Sequence, residues 1–417
     1  MPDPADLTAT AGLQAIRAGR LTPAALMEAC MARITAREPQ VKAFVHYDPA
    51  TVRAPSAGPL HGIPLGVKDV LDTAAMPTGY NSPIWAGHRP RADAAAVAWA
   101  QQAGAVVMGK TVTTEFATRT PGPTTNPHDP ARTPGGSSSG SAAAVGAGMV
   151  PLAFGTQTAG SVIRPAAYCG VVGYKPSFGM INRHGMKLMS ESLDTIGIMA
   201  RSVADCALLT GVLANLDLGH PDENAPAPRI GLCWTVMRDK AAPETIALME
   251  RAATVLARAG ATVTAHELPS AYDAMEDAHS VVMNAESARA MGWEMTHHRD
   301  AISAILREKL EWGLAQSGAT LAAARDTFRS LQDGFPAAME GVDILITPAA
   351  PGEAPLGLAW TGDAAFNLIW TSLHVPCVTV PAGTGPNNMP LGLQIVGRRG
   401  DDRAVLAWAQ WVAAAIS

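Results

Sequence analysis

Apolar residues recur at helical spacing from Leu7 to Ile16 and again from Pro23 to Ile34, with Thr22 as N-cap and Pro23 at the first helical position. Leu60, Ile63 and Leu65 lead into Gly66-Val67-Lys68-Asp69-Val70-Leu71, a short apolar strand with one lysine inside it. After Asp93 an Ala, Val and Trp helix runs to Gly104, and the strand Ala105 to Met108 follows. Ser141 to Gly148 is Ala-rich and helix-compatible, Pro151 to Phe154 reads as a strand, and Thr156 to Gly160 as a Gly/Thr loop. Pro, Asp and Gly from Leu216 to Arg229 predict a linker-like break. Beyond it come a strand at Ile230 to Trp234, an amphipathic helix from Pro243 to Ala259 closed by Gly260, and a mostly helical stretch over 273–340. Strands at Ile344 to Thr347, Cys377 to Val380 and Leu391 to Val396 precede a last helix. Helices alternating with strands indicate an α/β fold.

Composition narrows the class. At about 150 residues per domain, 417 residues allow two or three domains or one large enzyme domain. Apolar residues at 48% and charged residues at 16% suit a large buried core and exclude a disordered chain. Lys plus Arg is 31 against Asp plus Glu 36, a net charge of −5, and no basic block occurs, which argues against nucleic acid or an anionic membrane as partner. Cys30, Cys169, Cys206, Cys233 and Cys377 form neither a C-x-x-C pair nor a Cys/His cluster, so reduced thiols, a cytoplasmic setting and no metal are expected. The acidic start Met1-Pro2-Asp3-Pro4-Ala5-Asp6, followed by no apolar run, does not read as a secretory signal.

No charge occurs from 133 to 163. Pro134, Pro151 and Ser137-Ser138-Ser139-Gly140-Ser141 interrupt that stretch, so it holds no apolar 20-mer able to span a bilayer. The alternative is a segment buried in a globular protein, whose polar residues then need partners or a chemical task. Gly135 and Gly140 have P-loop spacing, but Ser141-Ala142 stands where Lys-Ser/Thr is required. Gly136-Ser137-Ser138-Ser139-Gly140 fits the G-x-S-x-G elbow literally, yet the turn-rich run from Thr124 to Pro130 replaces the strand that motif needs. A serine nucleophile can use another base. Lys68, in its apolar strand, would lose pKa on burial and could accept a proton, directly or through a second serine. Taken alone, a strand lysine is more often a surface or salt-bridged residue. Thr158-Ala159-Gly160-Ser161 has the small residues that let successive N–H groups point at one spot, as an oxyanion hole requires. A tight strand-to-helix turn has the same composition.

Several longer stretches occur in order: Gly62-Ile63-Pro64-Leu65-Gly66-Val67-Lys68-Asp69, Pro134 to Ser141, Gly155 to Ala166, Gly173-Tyr174-Lys175-Pro176-Ser177, Ser192 to Gly197 and Pro390 to Gly397. With these the sequence resembles the amidase signature family of serine hydrolases over nearly its whole length, most weakly between about 215 and 340. The resemblance implies one α/β amidase-signature domain over 1–417, with a central mixed, twisted sheet flanked by helices on both faces. Within it, 58–210 would be the catalytic core, 215–340 the variable, mostly helical pocket region, and 341–417 the return to the core sheet. It further implies a triad of Lys68, Ser137 on a cis peptide and nucleophilic Ser161, with Thr158, Ala159, Gly160 and Ser161 as the oxyanion hole. Lys68 would draw the Ser161 proton through Ser137, and water would hydrolyse the acyl-enzyme. No cofactor is implied; the partner is a small-molecule amide or ester, with a homodimer common among relatives.

Two residues depart from the family pattern, Gln157 where many members carry Asp and Ser139 where many carry Gly; both touch the support of the loops rather than the triad. The wording around Ser161 is similar to the malonamidase branch, in which the arginine matching Arg164 binds a substrate carboxylate; an internal salt bridge is the other reading of Arg164. Malonamate is therefore one candidate substrate. The alternatives are an esterase or carbamate hydrolase acting on neutral or aryl substrates, and the amidase subunit of a tRNA-dependent amidotransferase. Those subunits carry their arginine two rather than three residues after the nucleophile. Trp234, Met275, Met283, Trp293 and Trp312 are expected to be mostly core, with one or two lining the site, His297-His298 solvated, and Cys169 a buried thiol.

Overall fold

The computed structural model describes residues 3–52, 56–219 and 226–417; residues 220–225 of the linker-like break lie outside them. Among the described residues eleven strands form one sheet: β1 Phe44–His46, β2 Pro64–Lys68, β3 Val106–Thr111, β4 Leu152–Gln157, β5 Val172–Lys175, β6 Thr195–Ala200, β7 Arg229–Leu232, β8 Thr262–Ala265, β9 Ile344–Pro348, β10 Cys377–Thr384 and β11 Pro390–Val396. Their order is β1-β3-β2-β4-β6-β5-β10-β11-β9-β7-β8. Pairing is parallel within β3-β2-β4 and β9-β7-β8 and antiparallel between them. The sheet is thus mixed, as the family resemblance implied. Strands β2, β4, β5, β6, β9 and β11 are buried at every position, because helices cover both faces. That is why they read as continuous apolar runs rather than alternating ones.

The expected helices form with small boundary shifts. Thr8 caps Ala9–Arg17 and Thr22 caps Pro23–Val41, each hydroxyl accepting the N–H three residues on at 3.1 Å. Val203–Ala214, Pro243–Arg258 and Asp402–Ile416 pack on the sheet as one group, and Ser139–Gly146 with Ile163–Tyr168 as another. The short helix Ile163–Tyr168 sits unusually close to the sheet because glycines face it. A Cβ on Gly173 would lie 2.5 Å from Ala166 Cβ, and one on Gly392 2.6 Å from Ala167 Cβ. That approach sets the height of Ser161 and Arg164 above the sheet.

All five cysteines are free and buried. Among the described residues no helix is long and apolar enough to cross a membrane.

Candidate active site

Three lysines are fully buried, and their surroundings differ in kind. Lys110 Nζ lies 3.2 Å from Asp69 Oδ1 and donates to Leu71 O at 2.7 Å and Thr78 Oγ1 at 2.6 Å. Lys175 donates to the carbonyls of Val375 at 2.6 Å and Pro176 at 3.0 Å. Burial lowers both amines, but the Asp69 carboxylate opposes that at Lys110, and at Lys175 the amine only donates. Lys68, the last residue of β2, instead lies 2.8 Å from Ser137 Oγ and 2.7 Å from Thr156 Oγ1, with only the Thr156 carbonyl, at 3.4 Å, as an obligate acceptor. Hydroxyls can donate to a neutral amine as readily as they accept from a charged one. Burial pushes the Lys68 amine down to about 7, and Asp194 opposes that shift.

Ser137 follows Gly136 through a cis peptide bond, and the neighbouring serines fix the loop to the sheet. Ser138 Oγ accepts Thr156 N–H at 3.2 Å. Ser139 Oγ donates to Val112 O at 3.3 Å, and Ser141 Oγ to Phe154 O at 2.7 Å. No strand leads into this loop, so the nucleophile-elbow geometry is absent; the helix Ser139–Gly146 leaves it.

Ser161 follows the end of β4, half-exposed on the wall of a cavity of about 370 Å³. The backbone N–H groups of Ala159, Gly160 and Ser161 meet no acceptor among the described residues. Their peptides are held from the carbonyl side. His279 Nε2 donates to Thr158 O at 3.0 Å, Thr371 Oγ1 donates to Ala159 O at 2.7 Å, and Gly160 O accepts Arg164 N–H at 3.0 Å. A peptide is planar, so fixing each C=O aims the N–H that follows it. Gln157 completes the frame: Oε1 accepts Val162 N–H at 2.8 Å and Ile163 N–H at 3.1 Å, while Nε2 donates to Thr371 Oγ1 at 2.9 Å. The carboxamide therefore supports the loop, the support that its departure from Asp put in question. Asp194 accepts the Thr158 hydroxyl and the N–H groups of Met189 and Ser190.

Among the described residues Arg164 has no carboxylate partner, so the internal salt bridge is not formed there. It donates from Nε to Thr361 O at 2.8 Å and from Nη2 to Gly136 O at 2.6 Å, tying the helix Ile163–Tyr168 to the Gly136–Ser137 peptide. Its Nη1 is buried with no partner, and burial lowers the guanidinium to about 10. Arg164, Arg119 and Lys309 line the cavity with Glu276 and Asp363. Lys240 Nζ lies 3.8 Å from Glu276 and 3.6 Å from Asp363, which leaves the cations in excess.

Comparison with known proteins decides the family. A family model described as Amidase matches residues 25–406. The chain belongs to the amidase family. Its chemistry is accordingly that of amide C–N bonds. The chain is 34% identical to the A subunit of the glutamyl-tRNA(Gln) amidotransferase of Chloroflexus aggregans, over 96% of its own length and 94% of that protein. A solved amidase superposes with a TM-score of 0.88 at 31% identity, covering 99% of this chain and 100% of the other. The native peptide amidase of Stenotrophomonas maltophilia gives 0.81 at 30% identity over 99% and 97%.

For this amidase, the sequence placed Lys68, Ser137, Thr158 to Ser161 and Arg164, and the fold gathers all of them at one end of β2 and β4. It missed Thr156, Asp194, His279 and Thr371. The first two lie inside quoted motifs; the last two carry no local signal. Of the aromatic and methionine residues, Met275 is core, Trp234 is half-buried and Met283 lines the cavity, but Trp293 and Trp312 are 48% and 43% exposed. Trp293 lies against Trp85, His297 and His298 at the surface rather than entering the core. His297 and His298 are exposed as expected, whereas Glu294 beside them is buried on Lys187 and Trp85. Cys169 is buried and its thiol is pushed well up, which leaves it inert.

Proposed function

We propose that the protein is a serine amidohydrolase in which Ser161 is the nucleophile, Lys68 the base acting through Ser137, and the N–H groups of 158–161 the oxyanion hole. The observation that carries this is a buried lysine set among hydroxyls behind a cavity-facing serine. Neutral Lys68 takes a proton from Ser137 as Ser137 takes one from Ser161. Ser161 Oγ then attacks the carbonyl carbon, and the oxyanion is met by N–H groups already aimed and unoccupied. The relay returns the proton to the departing amine, and water releases the acid from Ser161 by the same route.

The substrate is a small amide bearing a carboxylate, of the malonamate class. The unpartnered Nη1 of a buried guanidinium and the excess of cations around the cavity support this. The test measures kcat and KM for malonamate and for neutral amides of similar size, in the native protein, Ser161→Ala and Arg164→Lys. Ser161→Ala should be inactive on both. Arg164→Lys should raise KM about tenfold or more for malonamate alone, while loosening of the Ser137 loop lowers kcat on both substrates. Preference for neutral or aryl substrates in the native protein would refute the carboxylate reading and favour an esterase or carbamate hydrolase.

A second reading is favoured by the relatives. Full-length similarity to a glutamyl-tRNA(Gln) amidotransferase component fits an amidase that works beside other subunits on an amide donor such as glutamine. Glutamine turnover that appears only with a copurifying second protein would establish it.

A further inference from the structure

The helix Met275–Ala290 lies outside the motif stretches quoted above, yet it lines the candidate cavity. Its residues Glu276, His279, Ser280, Met283, Asn284 and Ser287 line the cavity at i, i+3, i+4, i+7, i+8 and i+11, one continuous helical face. His279 is buried on that face, and its Nε2 lies 3.0 Å from the Thr158 carbonyl. A carbonyl only accepts, so Nε2 carries the proton; burial pushes the imidazole down to about 4 and keeps it neutral. Further along the same helix, Glu286 accepts Ser190 and Ser192 hydroxyls and the Ser192 N–H, and so anchors the turn from which Asp194 holds the Thr158 hydroxyl. The Thr158 residue is therefore gripped at its side chain from one side and at its carbonyl from the other.

We infer that His279 is a positioning residue for the oxyanion hole: by donating to Thr158 O it fixes the plane of the Thr158–Ala159 peptide and with it the aim of Ala159 N–H. The inference rests on the oxyanion-hole reading above. It makes the helix that lines the cavity also the helix that sets the oxyanion-hole amide. A change on that face is then felt in kcat as well as in KM.

The test uses an alkyl fluorophosphonate, which needs no knowledge of the substrate. Ser161 Oγ bonds to phosphorus, fluoride leaves, and the serine proton passes to Lys68 through Ser137. Second-order labelling rates are compared for the native chain, Ser161→Ala, His279→Gln and His279→Leu, each checked for folding by its melting temperature. His279→Leu keeps bulk without a donor and should label about tenfold more slowly or worse; His279→Gln keeps an N–H within reach and should recover most of the rate. Should the leucine variant not fold, His279→Met, also without a donor, takes its place with the same expectation. Equal rates in the native chain and the donor-less variant, or equal loss in His279→Gln, would overturn the inference. A native chain that does not label, or Ser161→Ala that does, overturns the nucleophile assignment first and this inference with it.

Discussion

Three lysines sit in one core with the same solvent exposure, none, and only their partners separate them. Burial lowers all three amines, but Lys110 is held by an ion pair and Lys175 by two carbonyls, whereas Lys68, set among hydroxyls with its amine lowered to about 7, is suited to lose its proton near neutrality. Because the base works only when neutral, kcat/KM should rise as pH passes through about 7 and flatten above it. A pH–rate profile checks this, and a rate already flat from pH 5 would remove Lys68 as the base. Lys68, Ser137 and Ser161 were legible because their residue types fall in long stretches in a fixed order, the two serines within the segment without charge. His279 and Thr371 were not, because a single His or Thr far along the chain acts here only through which backbone carbonyl it meets.

Among elements, the long helices and the apolar strands were readable from their periodicity. Strands β5 and β6 were quoted as motifs without being recognised as strands: each is short, contains a glycine and is buried on both faces, so no alternation marks it. Trp293 and Trp312 show the opposite error, since aromatic residues on a helix read as core until the neighbouring elements are placed. The close seat of the helix Ile163–Tyr168 gives a prediction at this scale. Gly392→Ala puts a methyl 2.6 Å from Ala167 Cβ and 2.8 Å from Thr379 Oγ1, and the nearest obstacle belongs to the helix carrying Arg164. The helix or the strand must shift. A denaturant titration should show a loss of about 1–3 kcal/mol, against near-neutrality if the helix can lift freely.

At the scale of the molecule, one sheet threads every part of the chain, with β1 to β6 from the first half and β7 to β11 from the second. The candidate catalytic loops leave the first half, while Thr371 and His279 come from the second, so the site cannot assemble before the two halves meet. A solved amidase shares that fold over nearly all of the chain. The fold also gives the buried thiols a use that chemistry did not intend. Cys30, Cys169, Cys206, Cys233 and Cys377 lie at five separate places in the fold, each shielded and each with its thiol raised by burial. A thiol reagent should therefore modify none of them in the native protein, and each should react only when its own surroundings open. Followed by mass spectrometry, the order in which the five acquire label would map which regions breathe first, with no reporter introduced.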